Sequence, residues 1–92
     1  MANYLRLVQF TLLVRMNRQY HEVNFLYRNQ GYYEADTADA NGVRLYFNLV
    51  NDGSAWKINE LNAPTWILQH EKEIVEALQT RHPQETERVN VI

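Results

Sequence analysis

A histidine and a glutamate near the C-terminus are the first residues in this chain that could perform chemistry together. His70 and Glu73 are three residues apart in a segment with a helical pattern, so both could lie on one helix face and bind a metal ion. Zinc sites usually use three protein ligands, and the segment does not contain the two-histidine motif of helical zinc sites. We therefore expect His70 at the margin of the core, and we predict neither a metal site nor a cofactor.

A second group of this kind lies nearer the N-terminus. Tyr20, His21 and Glu22 are adjacent, and a histidine and a carboxylate are common partners in acid–base catalysis. The segment has the alternating pattern of a strand, in which neighbouring side chains point to opposite faces. His21 and Glu22 would then be separated, and we expect His21 to be a partly buried structural residue.

Other motifs of catalysis or ligand binding are missing from the sequence. Asp36, Asp39 and Asp52 do not have the spacing and the closing glutamate of a calcium loop. Ser54 is not in a nucleophile elbow, and the isolated glycines cannot form a phosphate-binding loop. We predict no catalytic residues and expect that the protein is not an enzyme.

Composition narrows the class of protein further. The chain has 92 residues, of which 46% are hydrophobic, enough for one domain with a core. A net charge of −2 argues against nucleic-acid binding, which needs a basic surface, and no apolar stretch is long enough to cross a membrane. The sequence contains no cysteine and no pattern of a secretory signal. We therefore expect a cytoplasmic protein that binds neither nucleic acid nor membranes.

The clearest structural signal is a hairpin between residues 43 and 59. Apolar residues alternate on both sides of Asp52-Gly53, and this dipeptide favours a two-residue turn. With that turn, Leu49 would face Trp56, and one face of the hairpin would be entirely apolar.

A similar hairpin is predicted in the N-terminal third. Alternation on both sides of Asn17-Arg18 predicts that Val14 faces His21 and that the other apolar residues follow in register. A helix competes for the same residues, because apolar side chains also recur every three or four positions between residues 4 and 28. The frequent valine, phenylalanine, tyrosine and threonine favour strands.

An amphipathic helix completes the predicted domain. It begins near Pro64 and is expected to end before Pro83, because the residue before a proline is disfavoured in a helix. Four residues form its apolar stripe: Ile67, Ile74, Ala77 and Leu78. We predict an α+β fold, a four- to five-stranded antiparallel meander with this helix packed on one face, in one domain at residues 1–83 with a flexible tail at 84–92. The alternative is an N-terminal helix, a three-stranded meander and the C-terminal helix.

The sheet face opposite the helix is the candidate site. It is more apolar than a solvated sheet face, and its apolar residues are Leu13, Tyr20, Leu26, Tyr46 and Val50. Tyrosines among aliphatic residues are typical of protein interfaces, and the first strand is a long sheet edge that only Arg6 and Arg15 protect. We expect a protein–protein interaction or adaptor domain. Through this face or that edge it would bind itself, as a homodimer, or another protein.

A second function remains open, namely a module that binds a small ligand or a peptide. The ligand would lie in a groove between the helix and the sheet, with Trp56 and Trp66 among its walls.

Overall fold

Five consecutive strands form one antiparallel sheet in the computed structural model, which describes residues 8–29, 31–53 and 55–90. The strands lie in the sheet in sequence order: β1 (Val8–Met16), β2 (Gln19–Asn29), β3 (Tyr32–Ala38), β4 (Arg44–Asn51) and β5 (Trp56–Ile58). Two helical segments follow, α1 (Thr65–Gln69) and α2 (Glu71–Asn90). The α+β meander predicted from the sequence is confirmed.

The β1–β2 hairpin forms in the predicted register. Val14 pairs with His21, and the pairing continues without a shift along the whole of β1. The turn residues Asn17 and Arg18 have positive φ angles, 53° and 65°, as a tight two-residue hairpin turn requires. The alternative N-terminal helix is therefore wrong for the described part of that segment, and residues 4–7 lie outside it.

The β4–β5 hairpin differs from the predicted register by two residues. Leu49 pairs with Ile58 rather than with Trp56, so the loop is longer than an Asp-Gly turn. The side chains of Asn51 and Asp52 accept hydrogen bonds, at 2.8 and 3.1 Å, from N–H groups within the loop, which stabilises the wider conformation. A shift of two residues keeps every side chain on its predicted face, so the apolar face is still buried.

The C-terminal helix is interrupted near its start and is longer than predicted. Pro64 is the N-cap of α1, and His70, with φ of −114° and ψ of 21°, separates α1 from α2. α2 does not end before Pro83 but continues through it. Proline removes one N–H from a helix and its ring crowds the preceding turn, so the continuation of α2 depends on the glutamine, glutamate and arginine residues that follow, which are good helix formers. The division into a domain at 1–83 and a flexible tail at 84–92, whose last two residues lie outside the described chain, stays a prediction.

The core lies between the helices and the inner face of the sheet, defined here as the face that packs against α2. α2 contacts both β1 and β5, which are opposite edges of the sheet, so the sheet curls around the helix as half a barrel. Tyr33 is fully buried at the centre, and its ring contacts the rings of Phe10, Phe25, Tyr27 and Trp56 at centroid distances of 5.1 to 6.1 Å. The predicted helix stripe joins this core: Ile67, Ile74 and Leu78 are buried, and Ala77 packs at the margin.

Candidate interaction surface

The outer face of the sheet, opposite the inner face, carries all five apolar residues that the sequence places there. They alternate along their strands with residues of the inner face, so strand geometry turns them outward. Leu13, Tyr20 and Tyr46 are 65%, 66% and 68% exposed. Leu26 and Val50 are partly buried. Three of the five side chains are therefore largely exposed.

A row of hydrogen-bonded polar side chains crosses this face. Thr11 donates to Asn24 Oδ1 at 2.6 Å, and Asn24 Nδ2 donates to Asp36 Oδ1 at 2.9 Å. Arg44 Nη1 donates to the same Asp36 oxygen at 3.0 Å. A shallow depression of about 540 Å³ runs along the row. Thr11, Asn24 and Asp36 in its lining bind one another, so these polar groups already have hydrogen-bond partners.

The polar row separates the apolar residues into two groups. Leu13 and Tyr20 lie toward the β1–β2 turn, whereas Leu26 and Val50 lie toward the opposite end of the sheet. Tyr46 is in the row itself, on β4. The five residues therefore do not form one continuous apolar patch. Among the apolar residues of the outer face, Leu13 and Tyr20 are the most exposed adjacent pair, and they are diagonal neighbours on β1 and β2.

β1 forms a long edge of the sheet. It has nine residues, pairs without a bulge, contains no proline and carries one charged residue, Arg15. In a hairpin with a two-residue turn, the residues flanking the turn form a hydrogen-bonded pair, and such pairs then alternate with non-hydrogen-bonded ones. The N–H and C=O groups of Gln9, Thr11, Leu13 and Arg15 consequently point away from β2. Within the described parts of the chain, no further backbone hydrogen bond satisfies them. We call this the open edge.

The opposite edge of the sheet consists of the part of β4 that β5 does not reach, residues 44–47, and of β5. This strand has three residues, and the N–H of Ile58 donates to Glu71 Oε2 at 2.9 Å instead of to a strand. Glu71 is the first residue of α2, so the helix supplies the cap. A short edge that is capped by a side chain offers little to a partner strand. The two edges of the sheet are therefore chemically different.

Replacing Glu71 with alanine is expected to destabilise the domain by about 1–2 kcal/mol, because the part-buried N–H of Ile58 loses its acceptor. Glutamine keeps an acceptor oxygen in the same place, so Glu71→Gln should destabilise the domain less. Urea denaturation followed by circular dichroism measures both variants. Equal losses for alanine and glutamine would show that this hydrogen bond is not the source of the effect.

The histidines that the sequence singles out lie around Trp66. The Trp66 ring contacts the rings of His21 and His70 at centroid distances of 5.2 and 5.5 Å. His70 Nδ1 is 3.8 Å from Glu73 Oε1, so this pair does share a helix face, but the described residues include no cluster of three side chains that could hold a metal ion. His21 and Glu22 lie on opposite faces of β2. Both histidines are partly buried, and the structural role expected for them stays a prediction.

A small groove lies between Trp66 of α1 and His21 of β2. Its volume is about 230 Å³, and Trp66, His21 and polar residues of two loops line it. Trp56 is not one of its walls, because this residue is buried in the core. Pockets that bind small molecules usually measure about 300–1,000 Å³, so the groove has room for a small chemical group only.

Neither helix in the described part of the chain combines the length and the apolar character that crossing a bilayer requires.

No family model matches this chain, and no curated protein or solved structure is significantly similar to it. The chemistry of the two sheet edges is therefore the best guide to function.

Proposed function

We propose that this chain is a non-enzymatic protein-interaction domain that binds a strand of its partner along the open edge of β1. The difference between the two sheet edges carries this proposal. Glu71 binds the outer N–H of β5, whereas four alternate residues of β1 present backbone groups for which the described part of the chain supplies no backbone partner. Such groups on a long edge with a single charge are a template for a further strand.

The outer face supports a docking partner less well than the edge does. A partner lying flat on it would cover the polar row, and Asn24, Asp36 and Arg44 would lose water without gaining hydrogen bonds. Leu13 and Tyr20, in contrast, lie beside the open edge. They would pack against the outward side chains of an added strand.

Composition supports a protein as the partner. A net charge of −2 is unfavourable for contacts with the phosphates of nucleic acid. The absence of cysteine suits a reducing compartment, and we propose a cytoplasmic location on this ground. The proposal that the domain is not an enzyme rests on the absence of any catalytic motif in the sequence.

A synthetic peptide with the sequence of β1, flanked by lysines for solubility, tests strand addition directly. The full chain is used at a concentration at which light scattering gives the mass of a monomer. Binding of the peptide should slow the hydrogen exchange of the Gln9, Thr11, Leu13 and Arg15 amides, because these N–H groups gain acceptors. The amides of the intervening residues should change little, because they already bind β2. Nuclear magnetic resonance resolves the two sets.

The matched control is the same peptide with an N-methyl group on each of its nine β1 residues, because a free strand has donors on both of its edges. It keeps every side chain but cannot donate hydrogen bonds to the open edge, so it should leave exchange unchanged. Equal effects of both peptides, or no effect of either at saturating concentration, would overturn the proposal.

The alternative function, binding of a small ligand, has weaker support. Only Trp66 of the two expected tryptophan walls lines the groove, and the groove is smaller than an ordinary ligand pocket.

A further inference from the structure

We infer that the partner strand is β1 of a second copy of this chain, paired antiparallel about a twofold axis that passes beside Leu12. This inference rests on the proposed function and names its partner. Two five-stranded sheets would join into one continuous sheet of twice that size. Because the axis of an antiparallel strand pair is perpendicular to the sheet, both α2 helices would lie on the same side.

The backbone restricts the register of this pairing. The free N–H and C=O groups belong to odd-numbered residues of β1, so odd-numbered residues must face odd-numbered residues of the second copy. The same rule keeps every inner side chain on the inner face of the joined sheet. Of the registers that obey it, the one centred on Leu12 pairs all nine residues of β1.

The charge on β1 favours the antiparallel arrangement. Arg15, its one charged residue, would lie opposite the neutral Gln9 of the second copy. The two arginines would then be about six residues, or roughly 20 Å, apart along the strands. That distance is beyond the screening length of about 8 Å at physiological ionic strength. An in-register parallel pair would instead place the two arginines side by side.

The side chains complement each other on both faces. Leu12 faces inward but is only partly buried, so α2 leaves this position accessible, and it would meet Leu12 of the second copy at the axis. On the outer face, Leu13 would lie opposite Thr11 of the second copy, a β-branched residue that suits cross-strand packing. Four hydrogen-bonded pairs of two bonds each would form about eight backbone hydrogen bonds. The second copy would thus satisfy every group that the open edge leaves free.

Disulfide cross-linking tests this register, because the chain contains no cysteine. A mixture of Thr11→Cys and Leu13→Cys chains should form a mixed disulfide dimer under mild oxidation, since the two positions would face each other with about 5.5 Å between Cα atoms. Each variant alone should cross-link far less, because its two cysteines would be diagonal neighbours more than about 7 Å apart. Leu12→Cys alone should cross-link, since the axis brings its two Cα atoms to about 4.5 Å. Mass spectrometry without reduction identifies each product.

The possible results test three claims separately: the register of the pairing, the second copy as the partner, and strand addition itself. Efficient cross-linking of Leu13→Cys alone, or of Thr11→Cys alone, would overturn the register centred on Leu12. A monomeric mass for the unmodified chain at high concentration, with no cross-linking in any variant, would overturn the second copy as the partner. If the β1 peptide still protected the open-edge amides in that case, strand addition would stand and only self-association would fail. Thr11 and Leu13 are exposed, so their variants keep the fold even where Leu12→Cys does not, and circular dichroism verifies this.

Discussion

The chain with Leu13→Pro is expected to stay monomeric at concentrations at which the unmodified chain forms dimers. The Leu13 N–H points away from β2, so proline removes a donor from the open edge and leaves the β1–β2 hydrogen bonds intact. By symmetry a dimer loses two hydrogen bonds, about 2–3 kcal/mol in total. The dissociation constant should therefore rise on the order of 100-fold. Sedimentation equilibrium measures this constant.

Two control variants separate the edge from the outer face. Leu13→Thr keeps the N–H and should change association only slightly, which distinguishes the backbone from the side chain. Tyr46→Lys puts a charge on the outer face three strands away from the edge and should leave the dissociation constant unchanged. If Tyr46→Lys weakens association and Leu13→Pro does not, the outer face is the interface and the edge is not.

The variant Tyr33→Ala is expected to lose about 3–5 kcal/mol of stability. Tyr33 is fully buried, and four other aromatic rings lie around it, so its removal leaves a cavity that rigid neighbours cannot fill. A domain of this size is stable by about 5–14 kcal/mol in total. The midpoint of thermal unfolding should therefore fall by at least about 12 °C. Circular dichroism and tryptophan fluorescence both report the transition.

Tyr20→Ala is the matched control for this experiment. Tyr20 is 66% exposed, and its ring lies 6.0 Å from the Arg15 guanidinium carbon, so its removal should cost less than about 1 kcal/mol. Similar unfolding midpoints for the two variants would contradict the central position of Tyr33 in the core.

The two hairpins show which parts of the fold could be predicted from the sequence. In β1–β2, a slip of one residue would turn Val14 and its apolar neighbours to water, so alternation together with a two-residue turn defines the register. In β4–β5, a shift of two residues leaves every side chain on its face, and the apolar pattern does not distinguish the two registers. The side chains of Asn51 and Asp52 decide between them by binding the loop backbone. Turn composition alone does not reveal that choice.

The candidate surface was predictable to a similar extent. The alternation of apolar and polar residues shows that Leu13 and Tyr46 face outward. It does not show that a polar row divides the apolar residues of this face, because the row depends on which polar residues meet across neighbouring strands. The closing of β5 depends on a contact between Ile58 and Glu71, thirteen positions apart, which belong to different elements. No local motif marks such a pair. The difference between the edges therefore becomes visible only in the folded chain.

The twofold arrangement proposed for β1 would also limit how large an assembly of these domains can become. Joining two copies through β1 would pair the open edge of each copy with that of the other. The joined sheet would then end on each side in β5, a strand of three residues whose Ile58 N–H donates to Glu71 of α2. Because the proposed twofold pairing uses the same edge of both copies, it would end at two copies instead of continuing into a fibre.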